Sequence, residues 1–238
     1  MSTIGGGVNI VTDGLVLYLD AANTKSYPRS GTTWTDISRG GNNGTLTNGP
    51  TFNSGNGGSI VFDGADDYVD SVTQSIPIQD NTPFSVSVIF KTTLLSSGQL
   101  IGNWNTLVTP GWRIDIVSGQ IRILITSENG GNGRAIRTNL TYNNGSIFHF
   151  CSTYSGNGNI SGMSLYINGT PVQTTSILNT SPGTLINSKI TLGASQFNTN
   201  DFVNIFSGNI YQTSIYNRAL TAQEVLQNYN ATKSRYGL

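Results

Sequence analysis

The sequence predicts an all-β protein, a two-sheet antiparallel jelly-roll sandwich closed by one short C-terminal helix. Three observations carry this expectation. Gly, Ser, Thr and Asn supply close to half of the 238 residues, while the helix formers Ala, Leu, Glu and Lys are scarce. Phe84, Val86, Val88 and Phe90 alternate with Ser85, Ser87 and Ile89, the period-two spacing of a strand with one face on a core. Turn signals punctuate the chain throughout. The sharpest is Asn168-Gly169, a dipeptide that accepts the positive φ of a two-residue hairpin.

In chain order, residues 1–12 read as a flexible N-terminal arm, because Gly5 to Gly7 carry no side chain to pack. Residues 13–238 then form a single domain, within the length that sandwiches cover as one unit. Leu15 to Asp20 is a near-continuous apolar run, which predicts a strand buried on both faces. The polar segment Asn23 to Gly44 follows, a loop long enough to be either functional or held by something. Between Ser59 and Asp70, two apolar runs flank Asp63, Gly64, Ala65, Asp66 and Asp67. The expectation is a β-hairpin in which Gly64 does the turning and Phe62 and Val69 anchor the arms.

A half-buried strand over Phe84 to Lys91 comes next, then a hairpin with Ser118-Gly119 at its turn. Its inner positions are Ile114, Ile116, Ile121 and Ile123, and the polar residues between them predict a wet opposite face. Ala135 to Thr138, Ile147 to Tyr154, Met163 to Ile167, Lys189 to Gly193 and Phe206 to Tyr216 read as further strands. Thr221-Ala-Gln-Glu224 is a capping box, followed by an apolar stripe of Val225, Leu226 and Tyr229. Asn230 to Leu238 is expected to run out beyond the helix.

Composition also excludes several functions. Only 10% of residues are charged, and 12 basic groups balance 12 acidic ones, so no basic field draws nucleic acid or anionic lipid. No apolar run approaches the ~20 residues of a membrane span. Met1 to Gly7 lacks the basic start and apolar centre of a signal peptide, so synthesis without export by that route is expected. The single Cys151 excludes an intrachain disulfide, and its apolar surroundings read as a small buried hydrophobe. His149, between Phe148 and Phe150, reads as a histidine accommodated in a sheet. Neither a nucleophile elbow, a phosphate loop nor a Cys/His metal spacing is present.

Five motifs in order resemble the concanavalin A-like, laminin-G-like jelly rolls of bacteria and phages. These are Gly14-Leu-Val-Leu-Tyr-Leu-Asp-Ala-Ala-Asn23, the loop Trp34 to Leu46, Val61-Phe-Asp-Gly-Ala-Asp-Asp-Tyr-Val69, Leu165-Tyr-Ile-Asn-Gly169, and Phe206 to Ile210 with Ile215 to Val225. The match covers nearly the whole chain from Asp13. It departs at Arg39 and Gly40, where the family usually has Gly and Asn. Similar copies are typical of virion structural proteins of tailed phages. The resemblance therefore implies a non-enzymatic virion surface protein, a capsid decoration or fibre-tip adhesion domain made in the host cytoplasm. Its implied partners are other virion structural proteins, host surface glycans and further copies of itself. A free carbohydrate-binding lectin is the alternative, and a glycoside hydrolase-like enzyme the distant one.

Relatives that cleave glucans use two glutamates around an aspartate on one strand. This chain has only Glu128, in a Gly/Asn turn, and Glu224, committed to the helix cap. For glycans, an aromatic face and polar side chains at the hydroxyls are required, and Trp104, Tyr27 and Arg113 are the candidates. Trp34 and Trp112 read as core. Some members of the wider fold hold a structural calcium at one edge. The resemblance implies Asp20, Asp36 and Asn42 as its oxygen donors, in preference to Asp66 and Asp67.

Overall fold

Sandwich strands form where apolar side chains recur every second residue, and the computed structural model of this chain shows two sheets built that way. It describes residues 9–71, 78–103, 110–127, 131–186, 189–196 and 201–238. Among them, one sheet has eight strands and the other nine, and their strand pairings are antiparallel. Phe84–Lys91 sits at the centre of the smaller sheet, between Ile147–Tyr154 and Ser207–Tyr216. The last of these strands is long enough to take two partners on its other side, Ser59–Asp63 against its first half and Leu15–Asp20 against its second. The larger sheet runs Thr174–Asn179, Gly133–Thr138, Gln120–Thr126, Gly111–Val117, Ser97–Gly102, Thr191–Leu192, Tyr68–Ser71, Gly44–Thr47, Thr33–Trp34.

Between the sheets lies one contiguous core. Phe84, Val86, Val88 and Phe90 face Trp112, Ile114, Ile116, Ile121 and Ile123 across it, all of them buried. Trp34 joins them at 0% exposure, as its sequence context implies. The turn at Ser118-Gly119 has φ of 51° and 81°, and Asn168-Gly169 has 51° and 77°, the left-handed pairs that two-residue hairpins need.

Four expectations are corrected. The Ser59 to Asp70 stretch is not a hairpin. Ser59–Asp63 pairs within the smaller sheet and Tyr68–Ser71 within the larger one, so the acidic turn carries the chain from one sheet to the other. Phe62 and Val69 meet the core from opposite sides. Gly64 is required at this crossing because φ is +84° and a Cβ there would come within 2.8 Å of the Ser207 Cβ.

The strand Phe84–Lys91 is also buried on its second face, where Ser85 and Ser87 lie at 0% and 2% exposure. The cause is the C-terminal helix, which is longer than the sequence pattern suggests. It runs Ala222–Tyr236, 15 residues, and ends in a left-handed Gly237. Val225 packs with Cys151, Tyr166, Tyr216 and Leu220, and Tyr236 with Ile89 and Tyr211, forming a third layer on the smaller sheet. The extra turns of the helix hold because Tyr236 and Arg235 reach a buried acceptor. The Asp20 carboxylate accepts from the Tyr236 hydroxyl at 2.8 Å, the Arg235 guanidinium at 2.5 Å, the Ala22 amide at 2.9 Å and the Tyr18 hydroxyl at 3.2 Å.

Finally, part of the flexible arm is docked. The Val11 amide donates to Asn228 Oδ1, the Val11 carbonyl accepts from the Tyr216 hydroxyl, and Gln227 bonds the Asn9 carbonyl. Residues 1–8 lie outside the described part of the chain.

Under the helix, His149 is buried, and its Nε2 lies 3.0 Å from Ser87 Oγ. Ser87 Oγ also lies 3.0 Å from the Phe150 carbonyl. Nδ1 has no partner among the described residues. Desolvation holds this histidine well below its usual value, at about 4. At the helix start, Thr221 and Glu224 form the capping box, and Arg218 clasps both Glu224 oxygens at 2.9 and 2.6 Å. Those bonds hold the Glu224 carboxyl down at about 2.

Two tests follow from this architecture. Replacing Asp20 by Asn leaves two hydroxyls and a guanidinium without their anion, and denaturant unfolding should show a loss of about 2–3 kcal/mol. The depressed histidine is neutral in the fold and takes a proton on unfolding, so its contribution is complete above pH 6.5 and disappears as pH falls towards about 4. Glu224 contributes above its unfolded value of 4.5, and that stability disappears towards about 2. Stability measured against pH should therefore decline in both windows, with His149→Gln flattening the upper and Glu224→Gln the lower.

Candidate functional site

The outward face of the nine-stranded sheet carries the groups suited to recognition. Residues paired directly across antiparallel strands share a face. The row Ala135, Leu124, Arg113, Gly102, Thr191, Asp70, Thr45 thus lies on one side of this sheet. The inner side belongs to the core. A short antiparallel pair, Ser195–Gln196 with Phe202–Val203, stands over this outer face. It is anchored by Gln99, which is buried and bonds Thr191, Ala194 and Ser195.

Where that pair meets the sheet, Phe202 stacks on Tyr68, ring centroids 4.1 Å apart and planes inclined at 23°. Stacking of this kind favours a fixed ring pair. Around the two rings, Asn48, Asp70, Lys189, Thr191 and Gln196 line a cleft of about 280 Å³. Lys189 Nζ lies 3.0 Å from an Asp70 oxygen, and both side chains are accessible. The cleft therefore sets apolar ring surface beside an amide pair, a carboxylate, an ammonium and a hydroxyl. A larger cleft of about 640 Å³ lies along Thr12 to Leu15 and Ile37 to Arg39, and no aromatic residue lines it.

The acidic turn adjoins the smaller cleft. Asn48 donates to the Asp66 carbonyl at 3.0 Å. Ligand oxygens of Asp63, Asp66 and Asp67 lie within 4.8 Å of one another, so these three could hold a metal ion. Within the turn the Asp63 amide donates to Asp67 Oδ2 and the Ala65 amide to Asp63 Oδ1. Burial, together with the charges of Asp63 and Asp66, pushes the Asp67 carboxyl up.

The site residues named from sequence are placed elsewhere. Tyr27 is 3% exposed, with its ring against Phe52 and its hydroxyl on the Gly31 carbonyl; it is a core residue and offers no face to a sugar. Arg113 does lie on the outer face, but it is 7% exposed and ion-paired to Asp115 at 2.8 Å. Burial pulls its guanidinium down to about 10. Trp104 and Glu128 lie outside the described residues.

Asp20, Asp36 and Asn42 do not form a set of open ligands. Asp20 is filled by the helix end. Asp36 takes the Tyr18, Ser38 and Asn42 amides and the Ser38 hydroxyl, and Asn42 donates to the Val16 carbonyl. These bonds are what holds the long loop from Asn23 to Gly44 against the first strand. Tyr68 and Phe202 were missed because they are 134 residues apart in sequence. Tyr68 reads as a hairpin arm, and Phe202 sits in a polar run without periodicity. The usable signal was the alternation Tyr68, Val69, Asp70, which turns Tyr68 and Asp70 outward together.

The fold is thus a two-sheet antiparallel jelly roll with an aromatic-lined cleft on the outer face of its larger sheet. The chain belongs to the concanavalin A-like lectin/glucanases superfamily, whose family model matches residues 63–226. A comparison with curated proteins returns no match. Among solved structures, it is similar to the binding domain of Paraclostridial Mosquitocidal Protein 1, with 20% identity, TM-score 0.67, and coverage of 92% of this chain and 52% of that one. Botulinum neurotoxin type C, whose cell entry is described as dependent on two ganglioside molecules, gives 18% identity, TM-score 0.70, and coverage of 93% and 52%. The binding domain of botulinum neurotoxin DC in complex with SialylT gives 16%, 0.67, and 93% and 52%. This chain spans about half the length of those chains, and at such identities the likeness concerns the fold.

Proposed function

We propose that this chain is a non-enzymatic carbohydrate-binding module whose sugar site is the cleft at Tyr68 and Phe202. The observation that carries the reading is the stacked ring pair beside Asn48, Asp70, Lys189 and Gln196. A pyranose has an apolar C–H face and a rim of hydroxyls. Aromatic surface takes the first, and amide, carboxylate and ammonium groups take the second. The solved relatives described with SialylT and gangliosides support a saccharide ligand. The non-enzymatic part rests on Glu224, whose carboxylate is spent on the helix cap and Arg218.

Binding to a glycan array and titration calorimetry test the reading. Tyr68→Ala and Phe202→Ala should each weaken saccharide binding by tenfold or more, about 1.4 kcal/mol, while melting temperature and circular dichroism show the fold retained. Unchanged affinity in both variants overturns it. Display on a virion surface is supported by the motif resemblance to tailed-phage structural proteins, and absence of the protein from purified particles would sink it. Calcium is the ion proposed for Asp63, Asp66 and Asp67, a hard cation suited to carboxylate oxygens. Added calcium should then raise the melting temperature of the wild type and leave Asp66→Asn unmoved; no shift in the wild type removes the ion from this reading.

A further inference from the structure

On the same outer face, towards the opposite edge of the nine-stranded sheet, positive charge gathers. Arg137 stands directly across from Arg122, and Arg122 directly across from Asp115. Such opposition brings Cβ atoms to about 5 Å. Arg122 makes a two-point contact with Asp115, Nε to Oδ1 at 3.0 Å and Nη2 to Oδ2 at 2.7 Å. Arg113 pairs with the same carboxylate. One fully buried aspartate thus serves two guanidinium groups. Arg137 takes no share of it: among the described residues no ion pair or hydrogen bond reaches its side chain, and its Nε is buried without an acceptor.

This arrangement is costly. Like charges set directly opposite on a sheet destabilise it, and a buried donor without an acceptor costs more again. Only 12 basic residues occur in the whole chain; two of them share the Asp115 carboxylate and a third, Arg137, stands across from one of these. A breach of local rules that nothing nearby compensates is characteristic of a functional position. The surroundings suit a saccharide. Thr175, across from Arg137, is exposed and lies on the outermost strand, Thr174–Asn179, whose residues are exposed along nearly its whole length. One strand therefore separates Arg137 from the open sheet edge. Gln120 lies two residues from Arg122 on the same face and holds the Thr138 carbonyl.

We propose that Arg137 and Arg122 together form a recognition site for the carboxylate or sulfate group of an acidic saccharide, the oxyanion lying against Arg137 in the two-point geometry guanidinium groups offer. The proposal names a ligand class for the carbohydrate reading above and rests on it, while using residues distinct from the Tyr68 cleft.

Titration calorimetry of the full chain with a uronate-bearing oligosaccharide and its neutral counterpart tests the saccharide. A thermal melt in sodium sulfate against sodium chloride of equal ionic strength tests the anion site without one. The wild type should prefer the acidic sugar at least tenfold at low salt, and sulfate should raise its melting temperature above the chloride control. The acidic-sugar preference should vanish in Arg137→Gln, whose sulfate shift should fall below the wild type's to the general stabilisation that sulfate gives any folded protein, and Arg137→Lys, which keeps the charge but not the fork, should lose most of the preference. Repeating the titration with a sulfated oligosaccharide separates the two oxyanions. An R137Q protein that keeps both effects, or a wild type indifferent to charge, overturns the proposal; neutral sugar binding in that case leaves the carbohydrate reading standing. A sulfate-specific shift lost in R137Q, with no saccharide bound by any variant, overturns the saccharide as ligand and the carbohydrate reading with it.

Discussion

The fold depends on a single buried carboxylate. Asp20 ends the first strand at 0% exposure, and the groups that stabilise its charge come from both ends of the chain, Tyr18 and Ala22 from nearby and Arg235 and Tyr236 from the last residues of the helix. A charge placed there without those donors would be strongly unfavourable, so the strand and the helix end must be positioned together. This one requirement seats the helix across the smaller sheet. Tyr236 then packs on Ile89 and Tyr211, and Val225 on Cys151 and Tyr216.

Seating the helix decides which surface is left for recognition. Under the helix the smaller sheet becomes an inner layer, with Ser85, Ser87, His149 and Cys151 sealed from water; burial pushes the Cys151 thiol up to about 12, so that it stays a protonated thiol. The larger sheet keeps an outer face that the helix does not cover, and even there Gln99 and Asp115 are buried. What remains accessible is divided. The Tyr68 and Phe202 cleft is on one flank of the Ser195–Val203 pair, and Arg122 and Arg137 lie further along the ladder. Tyr68, Asp70, Arg122 and Arg137 are turned outward by strand alternation from one sheet, which holds them at fixed separations, while Phe202 reaches Tyr68 from the pair above it.

The acidic turn shows how the same residues can carry different meaning. Asp63 to Asp67 bridges the two sheets, and its carboxylates cap amides within the turn. The three also converge closely enough to meet a cation. Asp36 illustrates the opposite case: a carboxylate in a loop that resembles a ligand position has all its acceptor capacity taken by Tyr18, Ser38 and Asn42.

Alternation and turn chemistry made the strands legible. The Ile114, Ile116, Ile121 and Ile123 face, the Asn168-Gly169 hairpin and the Thr221 to Glu224 cap are local patterns, and local backbone preference is what such patterns report. The partner of each strand is set instead by packing between distant segments. Ser59 to Asp70 reads as a hairpin because a turn's residues specify a reversal without specifying which sheet receives the second arm. The length of the helix was hidden for the same reason, since its final turns are held by Asp20, more than two hundred residues away. Tyr27 shows the limit for sites: an aromatic in a polar loop is indistinguishable in sequence from one on a surface until Phe52 closes over it. By itself, then, the sequence determined the all-β class, the strand faces, the helix cap and the absence of a paired-glutamate motif, because each depends on neighbours in the chain. Only the tertiary structure decided the crossing between sheets, the covered face and the pairing of Tyr68 with Phe202 and Arg122 with Arg137, because those depend on long-range register.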